Sequence, residues 1–235
     1  MRRLPELLVL AVWIFSAAVF SRLPARVAGD VSWLLPLPVS TPAREASRVF
    51  LAFAIPGVLV VLLAAFRWAT SESGRTATER ALPSWLGTPG GHPAEYEKFS
   101  ATMDQIILCI VALVASVHVG FLASALGWDG PIPTVVGLVF GVALSAMGNV
   151  MPRLRPNPIA GLRTEAMMRN PVAWRNAHAS FGRIWLVGGA VVIATALLAP
   201  RYWMIAFIAV LIVSLISAPI VTRRTLDAQH NATKV

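Results

Sequence analysis

Between residues 105 and 128 the chain carries no Asp, Glu, Lys or Arg. A helix crosses a hydrocarbon core with about 17–25 apolar residues, so a run of this kind is a spanning helix before it is anything else. Similar charge-free stretches occupy 7–21, 49–66, 130–152, 184–200 and 202–222. In lipid every backbone amide must be paired inside its own segment, which selects helices over open strands. A membrane β-barrel is made of short alternating segments, and these runs are continuous. Composition agrees. Of 235 residues, 57% are hydrophobic and 13% charged, against roughly 25% charged in a soluble domain. That excludes a soluble enzyme, a disordered regulator and, with Cys109 as the single cysteine, a disulfide scaffold.

The expectation is an all-α fold: a polytopic membrane helix bundle of six transmembrane helices, at about 4–21, 49–66, 105–127, 132–151, 184–200 and 202–222, forming one integral membrane domain. The first span is short unless it extends back to Leu4, with Glu6 and Arg22 at the two interfaces. Met1-Arg2-Arg3 before an apolar run reads as an uncleaved signal anchor. Six crossings put fifteen of the Lys and Arg residues on the side of the termini and five on the other. Loop cations fix orientation, so both termini are expected in the cytoplasm of a bacterial cell, with the protein in its cytoplasmic (inner) membrane. The same rule accounts for the net charge of +9 without direct nucleic-acid contact.

The external 21–48 loop contains Trp33-Leu34-Leu35-Pro36-Leu37-Pro38. Proline breaks helices, so this apolar piece should lie in the membrane interface, as a ligand lid or as a surface-hugging connection. The 67–104 loop is polar and turn-rich, and Gly87–His92 lacks the Gly-Lys-Ser/Thr of a phosphate loop. A helix should begin at 95–99 and continue into the third span. Pro56 and Pro219 should kink the second and sixth helices.

Small residues recur every four positions in the third span (Ala112, Ser116, Gly120, Ser124) and the fourth (Gly137, Gly141, Ser145, Asn149). Four-residue spacing stacks them on one face and lets backbones approach, which predicts a close antiparallel pair of these two helices. His118 is the clearest ionisable group within a span. It is a proton or ligand contact, or a neutral imidazole bonded to a neighbouring helix. No hydrolase elbow, zinc motif or paired-cysteine site occurs, and no catalytic residue, metal or cofactor is expected.

The densest pattern lies at 148–182. Gly148-Asn149-Val150-Met151-Pro152-Arg153-Leu154-Arg155-Pro156-Asn157-Pro158 places three prolines in seven positions. They stiffen the chain and end the fourth helix at Pro152. Gly161-Leu162-Arg163-Thr164 comes next. Asn170-Pro171 then pairs a capping residue with a first-turn proline. From there Trp174, Ala177, His178, Phe181 and Trp185 share one helical stripe, with Arg175 off it. This helix should run along the interface and bend into the fifth span near Gly182. A rigid arginine fork suits bidentate binding of carboxylate or phosphate. The same residues could equally tie the loop to helix ends, and the sequence leaves both readings open.

These residues resemble the SdpI family, whose pattern runs approximately Gly-Asn-x-Met-Pro-Lys-x-Arg-Pro-Asn, then Gly-Ile-Arg-Thr, then Trp-Arg-x-x-His. The matching positions are Gly148, Asn149, Met151, Pro152, Arg153 in place of lysine, Arg155, Pro156, Asn157, Gly161, Leu162 in place of isoleucine, Arg163, Thr164, Trp174, Arg175 and His178. Glu165-Ala166 stand where the family usually has Pro-Trp. Leu23-Pro24 lacks the Ile-Pro-x-His found next in many relatives. The resemblance implies a six-helix, non-enzymatic membrane protein of a family that includes a toxin-immunity receptor. Its partners would be the lipid bilayer, a secreted peptide toxin and a cytoplasmic winged-helix repressor held at the membrane. The alternative is a small multi-pass transporter, with His118 and Asn149 lining the path.

Overall fold

The computed structural model describes residues 3–28, 34, 45–81, 93–157 and 159–232. Trp33, Pro36 and Pro38 of the 21–48 loop, Gly87–His92 and Pro158 lie outside the described residues. The elements in order are α1 (Leu4–Phe20), β1 (Arg26–Ala28), β2 (Glu45–Ser47), α2 (Arg48–Ala69), α3 (Glu72–Ala81), α4 (Pro93–Ala125), α5 (Ile132–Val150), a 3-10 turn (Met151–Arg153), α6 (Glu165–Met168), α7 (Pro171–Leu198), a second 3-10 turn (Pro200–Tyr202) and α8 (Trp203–Ala232). Among the described residues the protein is helical apart from the two three-residue strands. These pair antiparallel with Arg26 opposite Ser47 and Ala28 opposite Glu45, and so close the base of the 21–48 loop.

Five helices are long and apolar enough to cross a membrane: those at 48–69, 99–125, 132–153, 171–198 and 200–228. At 17 residues, α1 is an apolar helix below that length. Leu10, Ile14, Val58, Val61, Val187, Leu215 and Ile216 are exposed. An outer surface of this kind has no stable contact with water and belongs against lipid. The chain is therefore a multi-pass membrane protein.

The bundle has two halves that share α4. On one side α1 and α2 pack against it through Val9, Val12, Leu59, Leu63, Ile107 and Val111. On the other, α5 packs against α4 and α7, and α8 lies against α7 and α5. Trp203 at the start of α8 is buried there, with the Phe140 ring edge-on at 4.8 Å. Leu34 of the 21–48 loop packs on the same cluster.

The small-residue faces pair differently from the expectation. The α5 face meets α7, not α4. A Cβ at Gly148 would stand 2.7 Å from the Gly182 carbonyl oxygen and 2.7 Å from the Leu186 nitrogen, and one at Gly141 would stand 2.8 Å from the Gly189 oxygen. Glycines thus occur on both sides of the α5–α7 seam, and two backbones touch where side chains would hold them apart. The α4 row, with Ala112, Ser116 and Gly120, instead borders an apolar cavity of about 330 Å³ against Leu8 and Val12 of α1 and Val135, Val136 and Val139 of α5. The spacing defines a face; the partner is chosen by which neighbour offers glycines in return.

Gly182, where a bend was expected, lies inside an uninterrupted helix. From Pro171 to Leu198, α7 is one continuous helix, and Gly182 serves the approach of α5. Helices α2 and α8 carry Pro56 and Pro219 in their interiors. Helix α4 begins at Pro93, well before its apolar run.

A candidate anion cleft on the signature loop

Helix α5 ends at Val150, where Pro152 can neither donate nor continue it, and the chain leaves through the 3-10 turn. Leu154 is extended at φ −65°, ψ 122° and buried. In an extended segment neighbours point to opposite sides, so burying Leu154 turns Arg153 and Arg155 outward. Both are exposed.

Asn157 organises the 155–160 turn and is fully buried. Its Oδ1 accepts from the Ile159 N–H at 2.9 Å and the Ala160 N–H at 2.8 Å. Its Nδ2 donates to the Arg155 carbonyl at 2.7 Å and the Ala160 carbonyl at 3.1 Å. One side chain therefore satisfies two backbone donors and two acceptors of a loop with no ladder of its own.

Gly161 has φ +112°, a region that L side chains rarely adopt, and a Cβ there would run into His178 Nε2. His178 itself accepts from the Leu162 N–H at Nε2, 3.2 Å, while Nδ1 lies 2.8 Å from the Trp174 carbonyl. These two bonds select the tautomer with its proton on Nδ1. The Trp174 ring stacks on His178 with centroids 4.1 Å apart, and its Nε1 donates to the Leu154 carbonyl at 2.6 Å. Thr164 caps α6 by accepting from the Met167 N–H, and Asn170 caps α7 by accepting from Val172 and Ala173. Arg163 is exposed beside Thr164. Phe99, Met103 and Ile106 of α4 pack beneath this arrangement with Leu154, Met167 and Trp174.

The loop and the start of α7 enclose a cleft of about 560 Å³. Arg153 and Arg155 line one wall and Arg175 of α7 another; Trp174 and Leu154 lie between them, and Ala101 and Thr102 of α4 complete the border. The structure thus divides the sequence-derived residues into two groups. Asn157, Gly161, Thr164, Trp174 and His178 hold the loop, while Pro152, Arg153, Arg155, Pro156 and Arg175 border the cleft. Asn149 lies on the exposed face of α5, outside both groups.

His118 is far from the cleft. It is fully buried in α4, with Nε2 2.8 Å from the Ser16 hydroxyl of α1. That hydroxyl donates to the Val12 carbonyl at 2.8 Å, so His118 Nε2–H is the donor of the pair. This ties the first helix to α4.

One cluster escaped the sequence reading. Arg67 at the end of α2 pairs with Glu6 of α1 at 2.6 Å and with Asp104 of α4. Asp104 is nearly buried, at 5% side-chain exposure, and Arg67 is the cation that pairs with it. The available signal was that all three residues bound apolar runs at one end of the expected bundle.

Comparison with known proteins agrees with the loop. Residues 153–222 match the SdpI/YfhL protein family. The chain is 22% identical over 175 residues to the immunity protein SdpI of Bacillus subtilis (strain 168), covering 74% of each chain. No solved structure matches it significantly. The chain is thus similar to SdpI/YfhL-family proteins over residues 153–222 and to an immunity protein over most of its length, in agreement with the resemblance carried by the loop residues.

Proposed function

We propose that this protein is a non-enzymatic immunity or signal-receptor protein of a bacterial cytoplasmic membrane. It resists a peptide toxin on the outer side and holds a cytoplasmic repressor at the signature loop. In this reading α1 is a sixth crossing and both termini are cytoplasmic. The distribution of Lys and Arg supports that orientation. The ion cluster supports the crossing, because it ties Glu6 near the start of α1 to the end of α2.

The observation that carries the proposal is the division of labour in the loop. Buried residues lock its backbone, while Arg153, Arg155 and Arg175 stand exposed around one cleft. A loop needed only for orientation requires cations but not a fixed scaffold beneath them. The likeness to a protein named for immunity supports the toxin side. A transporter has less support, since His118 is engaged by Ser16 in a helix-to-helix bond.

The test is survival. The chain is expressed in a Bacillus strain lacking its own SdpI and challenged with that system's peptide toxin. Protection is expected from wild type and from Arg169→Ala, which lies outside the cleft. Arg155→Ala and Arg175→Ala should retain protection while losing co-purification of the cognate repressor. Sensitivity of cells making normal amounts of wild-type protein would refute the toxin reading. Equal repressor recovery from all variants would remove the loop from docking.

A further inference from the structure

We infer that the cleft between Arg153, Arg155 and Arg175 binds a phosphate group, and that its occupant is the headgroup phosphate of an anionic lipid in the adjoining leaflet. This goes beyond the immunity reading and stands whether or not a toxin or repressor exists.

Three arginines line the cleft, and no Asp or Glu among the described residues does. None of the three forms an ion pair among the described residues. The nearby Glu165 is instead taken by Arg169, at 2.8 Å on the same short stretch. Guanidinium forks match the oxygens of a phosphate two at a time, which a lysine cannot do. The first turn of α7 adds to the same field. Pro171 and Val172 line the cleft, and the positive end of a 28-residue helix points there.

The backbone that carries the loop arginines is held before any ligand arrives. Leu154 and Asn157 are buried on either side of Arg155, and Trp174 holds the Leu154 carbonyl. Binding therefore costs less loop ordering than it would from a free segment.

The remaining walls favour a lipid over a free anion. Leu154, Trp174, Val172 and Ala101 give the cleft an apolar side, and Val172 is exposed. Helices α5 and α7, both long and apolar enough to span, meet this loop directly. A headgroup phosphate against the arginines leaves its glycerol and chains to run onto apolar surface. Inorganic phosphate uses only the polar half.

The experiment uses the full chain purified in mild detergent. Retained phospholipid is counted per chain by mass spectrometry after exchange with mixed micelles of phosphatidylglycerol and phosphatidylcholine. Wild type should retain phosphatidylglycerol selectively. An arginine near an anionic surface is worth enough to expect about a five-fold loss in affinity for each of Arg155→Ala and Arg175→Ala. Arg155→Lys, which keeps charge but not the fork, should fall between. Arg169→Ala should match wild type, and all variants must show wild-type helicity.

Equal retention by wild type and the two alanine variants would overturn the inference. So would an equal loss in Arg169→Ala, which would mean general attraction to a basic loop. Inorganic phosphate is titrated as a separate arm. If it binds the wild type and phosphatidylglycerol is not retained, the ligand is a free anion and the lipid assignment is wrong. Retention of an acidic peptide in place of either would refute the phosphate assignment itself.

Discussion

Replacing Gly148 by alanine tests how tightly the α5–α7 seam is closed. The added carbon would stand 2.7 Å from both the Gly182 carbonyl oxygen and the Leu186 nitrogen. Both atoms are backbone of α7, so no flexible side chain can swing away. The helices must part by several tenths of an ångström. A gap of roughly 0.5–1 Å already forfeits a quarter to a half of each van der Waals contact. In lipid such contacts, rather than hydrophobic burial, hold helices together. The loss extends along the seam to Gly141 and Gly189, because all four glycines lie on the same pair of helices. Overpacking of this kind costs about 1–3 kcal/mol. The assay is reversible unfolding of purified protein in mixed micelles with increasing denaturing detergent. Gly148→Ala should lower the midpoint clearly. Gly182→Ala, whose Cβ would meet the Gly148 oxygen, should do the same. The double variant should cost less than the two together, since helices already parted admit the second carbon. Gly57→Ala is the control, because nothing lies within 4 Å of its added carbon and alanine favours a helix interior by about 0.5–1 kcal/mol. An unchanged midpoint in Gly148→Ala, or strict additivity in the double variant, would refute the seam as described.

Other perturbations have equally definite expectations. Arg67→Met strands Asp104 in a nearly buried site and should destabilise by about 2–3 kcal/mol, below the fully buried limit because Glu6 and Arg67 are partly exposed; adding Asp104→Asn should restore most of the midpoint. Asn157→Ala leaves backbone donors and acceptors of the loop unpaired, at about 1–3 kcal/mol for each group that water cannot reach. It should show first as faster tryptic cleavage after Arg153 or Arg163, since Pro156 protects the bond after Arg155, and unchanged cleavage would count against its organising role. Gly161→Ala combines a strained φ with a collision on His178 and should open the same loop, read by the same digestion. Ser16→Ala removes the bond that ties α1 to His118 and should cost about 1–2 kcal/mol, with amide exchange rising in α1 before α5.

Much of the architecture is written locally. Apolar runs give the helices because the bilayer imposes a length and forbids unpaired amides. Asn170-Pro171 marks the start of α7, and the stripe from Trp174 to Phe181 marks its buried face, since both depend on residues a few positions apart. Partnership is not local. The Arg67 pairs join residues 61 and 37 positions apart, and no spacing rule reaches that far. Four-residue glycine spacing identified a face on α5 but not the helix opposite. Gly182 was expected only to mark a bend; its close approach to Gly148 appears only when α5 is in place. The three-residue strands carry too few positions to show alternation. In the loop, the sequence could not divide holders from presenters, because an asparagine that organises a turn and one that faces a ligand look alike until burial is known.

The unbroken course of α7 has a mechanical consequence. At 28 residues it is a rod of about 42 Å, rising 1.5 Å per residue. Trp174 and His178 sit near one end, and Gly189 sits well along the shaft. With its turns uninterrupted between them, a tilt imposed deep in the bilayer is passed toward the arginines, and a load on the arginines is passed to the glycine seam. The two ends of the protein are geared together, and neither can be adjusted alone.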